Sequence, residues 1–179
     1  KKCTDLNSLK EVARCLLYTD VHRVKNYPFM VKHPFTDTAF TSVVKNPEKL
    51  AENKVINILE SENNLNRWRE HMSDWINSAE SADEIYCRIT KPYKLTFMKY
   101  AGRYLSKRDF AEMLCNAWIS SESPNNDVNV SQSELLRMFG NADKSLLMTD
   151  EERKRLDELD DPVTVYRGVT PYNAKSVKA

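Results

Sequence analysis

The chain has 179 residues, enough for a domain with a real core and no disulfide or metal staple. Its 27 Lys and Arg against 26 Asp and Glu give a net charge of +1, with 41% hydrophobic residues, which excludes a disordered chain and a histone-like polycation. No apolar run approaches the roughly 20 residues of a membrane span, and three glycines are too few for an all-β fold or a Gly-rich phosphate loop.

Helix starts carry the strongest local signal. A Ser or Thr followed three residues later by Glu satisfies two orphan N–H groups at once. That box occurs at Ser8/Glu11, Ser81/Glu84, Ser131/Glu134 and Thr149/Glu152, with Ser106/Asp109 a weaker form. The first helix is predicted from about Leu9 to Tyr18, with Leu9, Ala13, Leu16 and Leu17 on one face. The stretch from Tyr27 to Asn46, rich in Pro, Thr and aromatics, reads as an ordered loop or short strands. Pro47 suits the first turn of a helix through Glu60. Leu65, Trp68, Met72, Trp75, Ile76 and Ala79 recur at three and four and predict a helix over Asn64 to Ala79. Short helices follow over Asp83 to Thr90 and Tyr93 to Tyr104. Phe110, Met113, Leu114, Ala117 and Trp118 then mark the clearest helix, Lys107 to Ser120.

A polar turn-forming loop, Ser121 to Asp127, precedes a helix from Gln132 to Phe139, with Gly140 as its expected stop. Asp150 to Leu159 predicts a short charged helix, ended by Asp160-Asp161-Pro162. The run Val163-Thr-Val-Tyr166 is β-branched and aromatic, bounded by Pro162 and Gly168, and predicts a strand. One strand cannot satisfy its own backbone groups. It pairs either with the loop region near Phe35 to Val44 or with strands beyond Ala179, and the sequence is expected to be a fragment. The fold expected is mainly α: a multi-helix globular domain over 1–160, then a short C-terminal β element over 161–179.

Cys3, Cys15, Cys87 and Cys115 show neither zinc nor CxxC spacing and are expected to be reduced, with Cys15 and Cys115 as core side chains. The histidines His22, His33 and His71 are scattered, and no metal site is predicted. The opening residues, Lys1 to Asp5, lack the apolar core of a secretion signal, though one removed beforehand would leave no trace; the reduced thiols point to a cytoplasmic protein.

Tyr166-Arg167-Gly168 is the most informative motif. An arginine leaving a strand beside a glycine can offer a planar charged fork to a phosphate, or pair with Asp157, Glu158, Asp160 or Asp161. The segment Val163-Thr-Val-Tyr-Arg-Gly-Val169, after an acidic helix and a proline, resembles the first catalytic strand of the ADP-ribosyltransferase fold. The stretch Asp127 to Val169 is similar to phage and mobile-element proteins of that type. The resemblance implies an opening strand of an α+β unit, NAD as cofactor, and Tyr166, Arg167 and Gly168 as cofactor-binding residues. It also implies glycosyl-type transfer from NAD to a host protein target, in the host cytoplasm if the protein is phage-encoded. The family's later Ser-x-Ser and Glu-x-Glu motifs do not follow Gly168 within this sequence, so no catalytic residue is assigned and these 179 residues alone are expected to be inactive.

Two further features stand open. Lys91, Lys94, Lys99, Arg103, Lys107 and Arg108, interleaved with Tyr93, Phe97, Tyr100 and Tyr104, could grip nucleic acid, or form the solvated face of a helix that buries its aromatics. Asp150 to Asp161 holds seven acids against three bases. It could dock a basic partner, or be a solvated helix whose first acids suit the positive helix terminus. The competing reading of the whole chain is a non-enzymatic helical binding protein: a phage-type inhibitor of a host or defence protein, or a nucleic-acid binder through 91–108.

Overall fold

The structure, a computed structural model, describes residues 3–43, 54–121 and 129–159 together with Pro162 and Thr164. The chain divides into two compact units, Lys1–Leu147 and Met148–Ala179. The expected division at 160/161 falls inside the second. The fold is mainly α, with eight helices and five short strands among the described residues.

The first helix, α1 (Leu6–Leu17), begins earlier than the Ser8/Glu11 box predicts. Asp5 is the cap: its carboxylate accepts the Ser8 N–H at 3.1 Å and the Ser8 hydroxyl at 2.7 Å, which puts Ser8 inside the first turn. The buried face is the predicted one, Leu9, Ala13, Leu16 and Leu17.

The strands lie in the middle of the chain, which corrects the expectation of a β element confined to the C-terminus. β1 (His22–Val24), β2 (Tyr27–His33) and β3 (Thr36–Thr38) form an antiparallel sheet in that order. β1 and β2 join through Lys25-Asn26, with Asn26 at φ 68°, a left-handed conformation that Asn tolerates. β4 (Phe40–Val43) pairs antiparallel with β5 (Lys54–Asn57). The helix expected from Pro47 to Glu60 is therefore absent from its described part. Thr41 faces Ile56 and Ser42 faces Val55 across the ladder. Ile56 is buried while Val55 is 69% exposed, the period-two alternation of a strand. The expected strand Val163 to Tyr166 lies outside the described residues apart from Thr164.

The remaining helices of the first unit are α2 (Glu62–Ser78), α3 (Ala82–Arg88), α4 (Lys94–Ala101), α5 (Lys107–Ser120), α6 (Gln132–Asn141) and α7 (Lys144–Leu147). Single 3-10 turns at Lys91–Tyr93 and Gly102–Tyr104 flank α4, so the helix predicted over 93–104 is shorter. Gly140 lies within α6 rather than ending it; Ala142 is the C-cap. The core joins α1 to α5 around the fully buried Leu9, Ile76, Ile85, Leu95, Phe97 and Leu114. Trp68 is buried there too, edge-on to His33 at 5.0 Å, whereas Trp75 and Trp118 are only partly buried. Of the expected core cysteines, Cys15 is exposed and Cys115 half-buried, because Cys15 falls off the Leu9/Ala13/Leu16 face. All four cysteines are free thiols.

The N-terminus of α5 is built from three segments. The Ser106 hydroxyl accepts the Asp109 N–H, as the weak box predicts. The Asp109 carboxylate does not close that box: it accepts the Thr4 hydroxyl, and Thr4 Oγ1 accepts the Ser106 N–H at 2.8 Å. The Asp5 N–H donates to the Tyr104 carbonyl at 2.8 Å. Thr4 thus stands in for the missing reach of Asp109, whose side chain is one methylene shorter than Glu.

In the second unit, α8 (Asp150–Asp157) carries the complete Thr149/Glu152 box. It buries no residue, and its first turn holds Asp150, Glu151 and Glu152, consistent with a solvated helix whose acids suit its positive end.

Candidate functional site

Tyr166, Arg167 and Gly168 lie outside the described residues. The six cations of the basic stripe are described, and the structure disperses them. Lys99 pairs with Glu134 at 3.0 Å and donates to the Asn129 carbonyl at 2.9 Å. Arg108 pairs with Glu112 one turn along α5 at 2.7 Å. Lys94 lies 4.3 Å above the Tyr86 ring and donates to Asn116 Oδ1 at 3.2 Å. The Arg103 guanidinium stacks 4.9 Å from the Tyr104 centroid. Lys91 and Lys107 are exposed. Of the interleaved rings, Phe97 is buried, Tyr93 and Tyr104 are half-buried, and Tyr100 is exposed.

Beside Lys94 opens a cleft of about 640 Å³ between α3, α5 and the segment preceding α1. Its walls include Asp83, Tyr86, Cys87, Asp109, Glu112 and Asn116. Tyr86 is almost wholly buried, with Oη 2.8 Å from Asn116 Oδ1 and 3.0 Å from the Met113 carbonyl. Burial, aided by the neighbouring Cys87 and Asp83, pushes this phenol above its ordinary value, so it stays protonated. The Cys87 thiol, 3.7 Å from Asp83 Oδ2, is also pushed up, by desolvation and then by the Asp83 charge. An activated cysteine needs the opposite surroundings. Carboxylates line the cleft with one ammonium; the Thr4 hydroxyl donates to Asp109 and the Cys87 thiol to Asp83. Among the described residues no group of three or more His, Cys, Asp and Glu is placed to hold a metal, and no helix is long and apolar enough to cross a membrane.

The chain matches no family model, no curated protein and no solved structure.

A second surface was not singled out in the sequence. Tyr27 and Phe29 of β2 and Phe40 of β4 are exposed on a β-ribbon where the two separate sheets meet. Phe29 and Phe40 touch, with ring centroids 5.2 Å apart at 47°. The link between their strands is a bond from the Ala39 N–H to the Phe29 carbonyl at 2.8 Å. The available signal was the alternation Tyr27, Phe29, Val31, His33. Its first half faces water and its second half faces the core, so periodicity alone does not reveal which rings emerge.

Proposed function

We propose that this chain is the helical N-terminal portion of an ADP-ribosyltransferase-like phage or mobile-element protein, with Arg167 as the residue that holds NAD. The observation carrying the reading is the sequence Val163-Thr-Val-Tyr-Arg-Gly-Val169, placed directly after the capped acidic helix α8 and Pro162. The guanidinium is permanently charged and planar, suited to a pyrophosphate, and Gly168 leaves the adjoining backbone open to close approach. The target would be a host protein. The test is the encoding frame together with its product. A downstream Ser-x-Ser and Glu-x-Glu, with NAD consumption that falls about 10-fold or more in Arg167→Lys, is the expected result. A stop codon directly after Ala179 overturns it.

A second reading, a non-enzymatic protein that works by binding a host protein or nucleic acid, is favoured by the exposed rings of the β-ribbon. Monomeric domains seldom leave neighbouring large apolar groups uncovered without a ligand.

A further inference from the structure

We infer that the β-ribbon is a docking face for single-stranded nucleic acid, with bases stacking on Tyr27, Phe29 and Phe40. The inference rests on the binding reading and owes nothing to Arg167. Among the chain's six phenylalanines, Phe29 and Phe40 alone are exposed; Phe35 and Phe97 are buried, and Phe110 and Phe139 are half-buried. The two exposed rings sit together, and Tyr27 precedes Phe29 by two residues on the same side of β2, about 7 Å away along the strand. Rings displayed on an antiparallel sheet are the surface on which unpaired bases stack, because every base has a π-face.

Charge selects this occupant over an apolar peptide. From His22 to Ser42, which spans β1 to β3 and the start of β4, the chain carries Arg23, Lys25 and Lys32 against the single carboxylate of Asp37. The whole chain is only +1, so this concentration is local. Lys25 lies in the β1–β2 turn two residues before Tyr27; Arg23 is opposite the buried Val31 across the ladder, and its guanidinium donates to the Leu59 carbonyl at 3.3 Å. None of the three forms an ion pair with a carboxylate among the described residues. In the basic stripe, by contrast, Lys99 and Arg108 are already neutralised by Glu134 and Glu112. Lys25 near Tyr27 sets phosphate attraction next to base stacking.

The experiment titrates the full chain into fluorescein-labelled 20-nucleotide oligo(dT) and oligo(U), and into a 20-base-pair duplex, from about 50 to 200 mM salt. The single strands should bind more tightly than the duplex. Phe29→Ala with Phe40→Ala should weaken binding by about 10-fold or more, since each stacked base contributes roughly 1–3 kcal/mol. Lys25→Ala with Lys32→Ala should reduce the salt slope by about 1.4, at roughly 0.7 per phosphate contact. These side chains are exposed, and unchanged thermal melting verifies that the variants fold. Lys91→Ala with Lys107→Ala should leave binding intact. Absence of binding to either single strand at 50 mM salt overturns the inference, as does equal binding of the duplex. Binding that survives loss of both phenylalanines but disappears with Lys91 and Lys107 places the nucleic acid on the helical stripe and likewise overturns it. Loss of a protein partner in the phenylalanine variants, without oligonucleotide binding, overturns the nucleic-acid occupant while leaving the ribbon as an interface.

Discussion

A Cβ built on Gly102 would lie 2.5 Å from Phe110 Cε2, closer than the ring can tolerate without moving. Gly102 adopts φ −55°, ψ −33°, which any residue can take, so its small size rather than its freedom is what the fold uses. Alanine there would gain roughly 0.4–1 kcal/mol through the unfolded chain. Overpacking of a half-buried ring opposes that with about 1–3 kcal/mol. The net expectation for Gly102→Ala is destabilisation by about 1–2 kcal/mol, read by urea denaturation, with partial recovery on adding Phe110→Leu. A more stable Gly102→Ala variant would show that the ring swings away freely.

His33 is 1% exposed, and its Nδ1 accepts the Phe35 N–H at 3.1 Å. Burial, chiefly, lowers its pKa from 6.5 to about 4. The unfolded chain therefore takes up this proton first as pH falls. Stability is full above about 6.5 and is lost progressively down to about 4, by up to roughly 3 kcal/mol. Asn can present an acceptor where Nδ1 sits, so His33→Asn should lower stability at pH 7 yet flatten its dependence between pH 6.5 and 4. Unfolding curves across that window check it; an unchanged slope in the variant would remove His33 as the cause.

The Tyr86 hydroxyl has one proton for two acceptors, Asn116 Oδ1 and the Met113 carbonyl. Tyr86→Phe keeps the packing against Phe97 and removes the one proton the two acceptors share. A loss of about 1–2 kcal/mol is expected by chemical denaturation. Lys94 still reaches Asn116, which limits the penalty at that end.

Cys87 is exposed yet has a raised pKa from desolvation and the Asp83 carboxylate, so less of it is thiolate at pH 8. Alkylation by iodoacetamide, followed site by site by mass spectrometry, should therefore be slower at Cys87 than at the exposed Cys3. Asp83→Asn should accelerate Cys87 alone. Equal rates at the two cysteines in the unmodified chain would contradict the stated cause.

Glu134 closes the α6 box through Ser131 and also holds Lys99. Bonds from the Ser131 backbone, then from Lys99, lower its pKa to about 2. Its contribution is present above the ordinary carboxylate value of 4.5 and is lost as pH falls towards about 2. Glu134→Gln keeps an acceptor for the Ser131 N–H but removes the charge facing Lys99. Its Tm should fall slightly at pH 7 and match the unmodified chain near pH 2, a comparison that differential scanning calorimetry makes directly.

What the sequence revealed follows from the range of each interaction. The bounds of α5 were legible at Lys107 and Ser120, because its cap and its apolar stripe are local and agree. The buried face of α1 was legible for the same reason, although its cap was assigned three residues late: Asp5 and Ser8 are both good capping residues. β5 was not legible, whereas β4 falls in the stretch from Tyr27 to Asn46 read as a loop or short strands. Val55 and Ile56 have strand partners at Ser42 and Thr41, and that pairing is invisible to a helical window opened at Pro47. At the candidate sites, the stripe of cations was visible, but their separate partners were not. Glu134 and Asn116 lie far along the chain from Lys99 and Lys94. Gly140 misled because a glycine near a helix end is usually its stop; here the helix passes through it to Asn141.

The clasp made by Thr4, Asp5, Tyr104, Ser106 and Asp109 has a practical consequence for anyone handling this protein. Thr4 and Asp5 are the latch holding the first helix to the start of the fifth. Clipping them off would cost the fold a staple that spans about a hundred positions of chain. An affinity tag placed against them should be separated by a spacer.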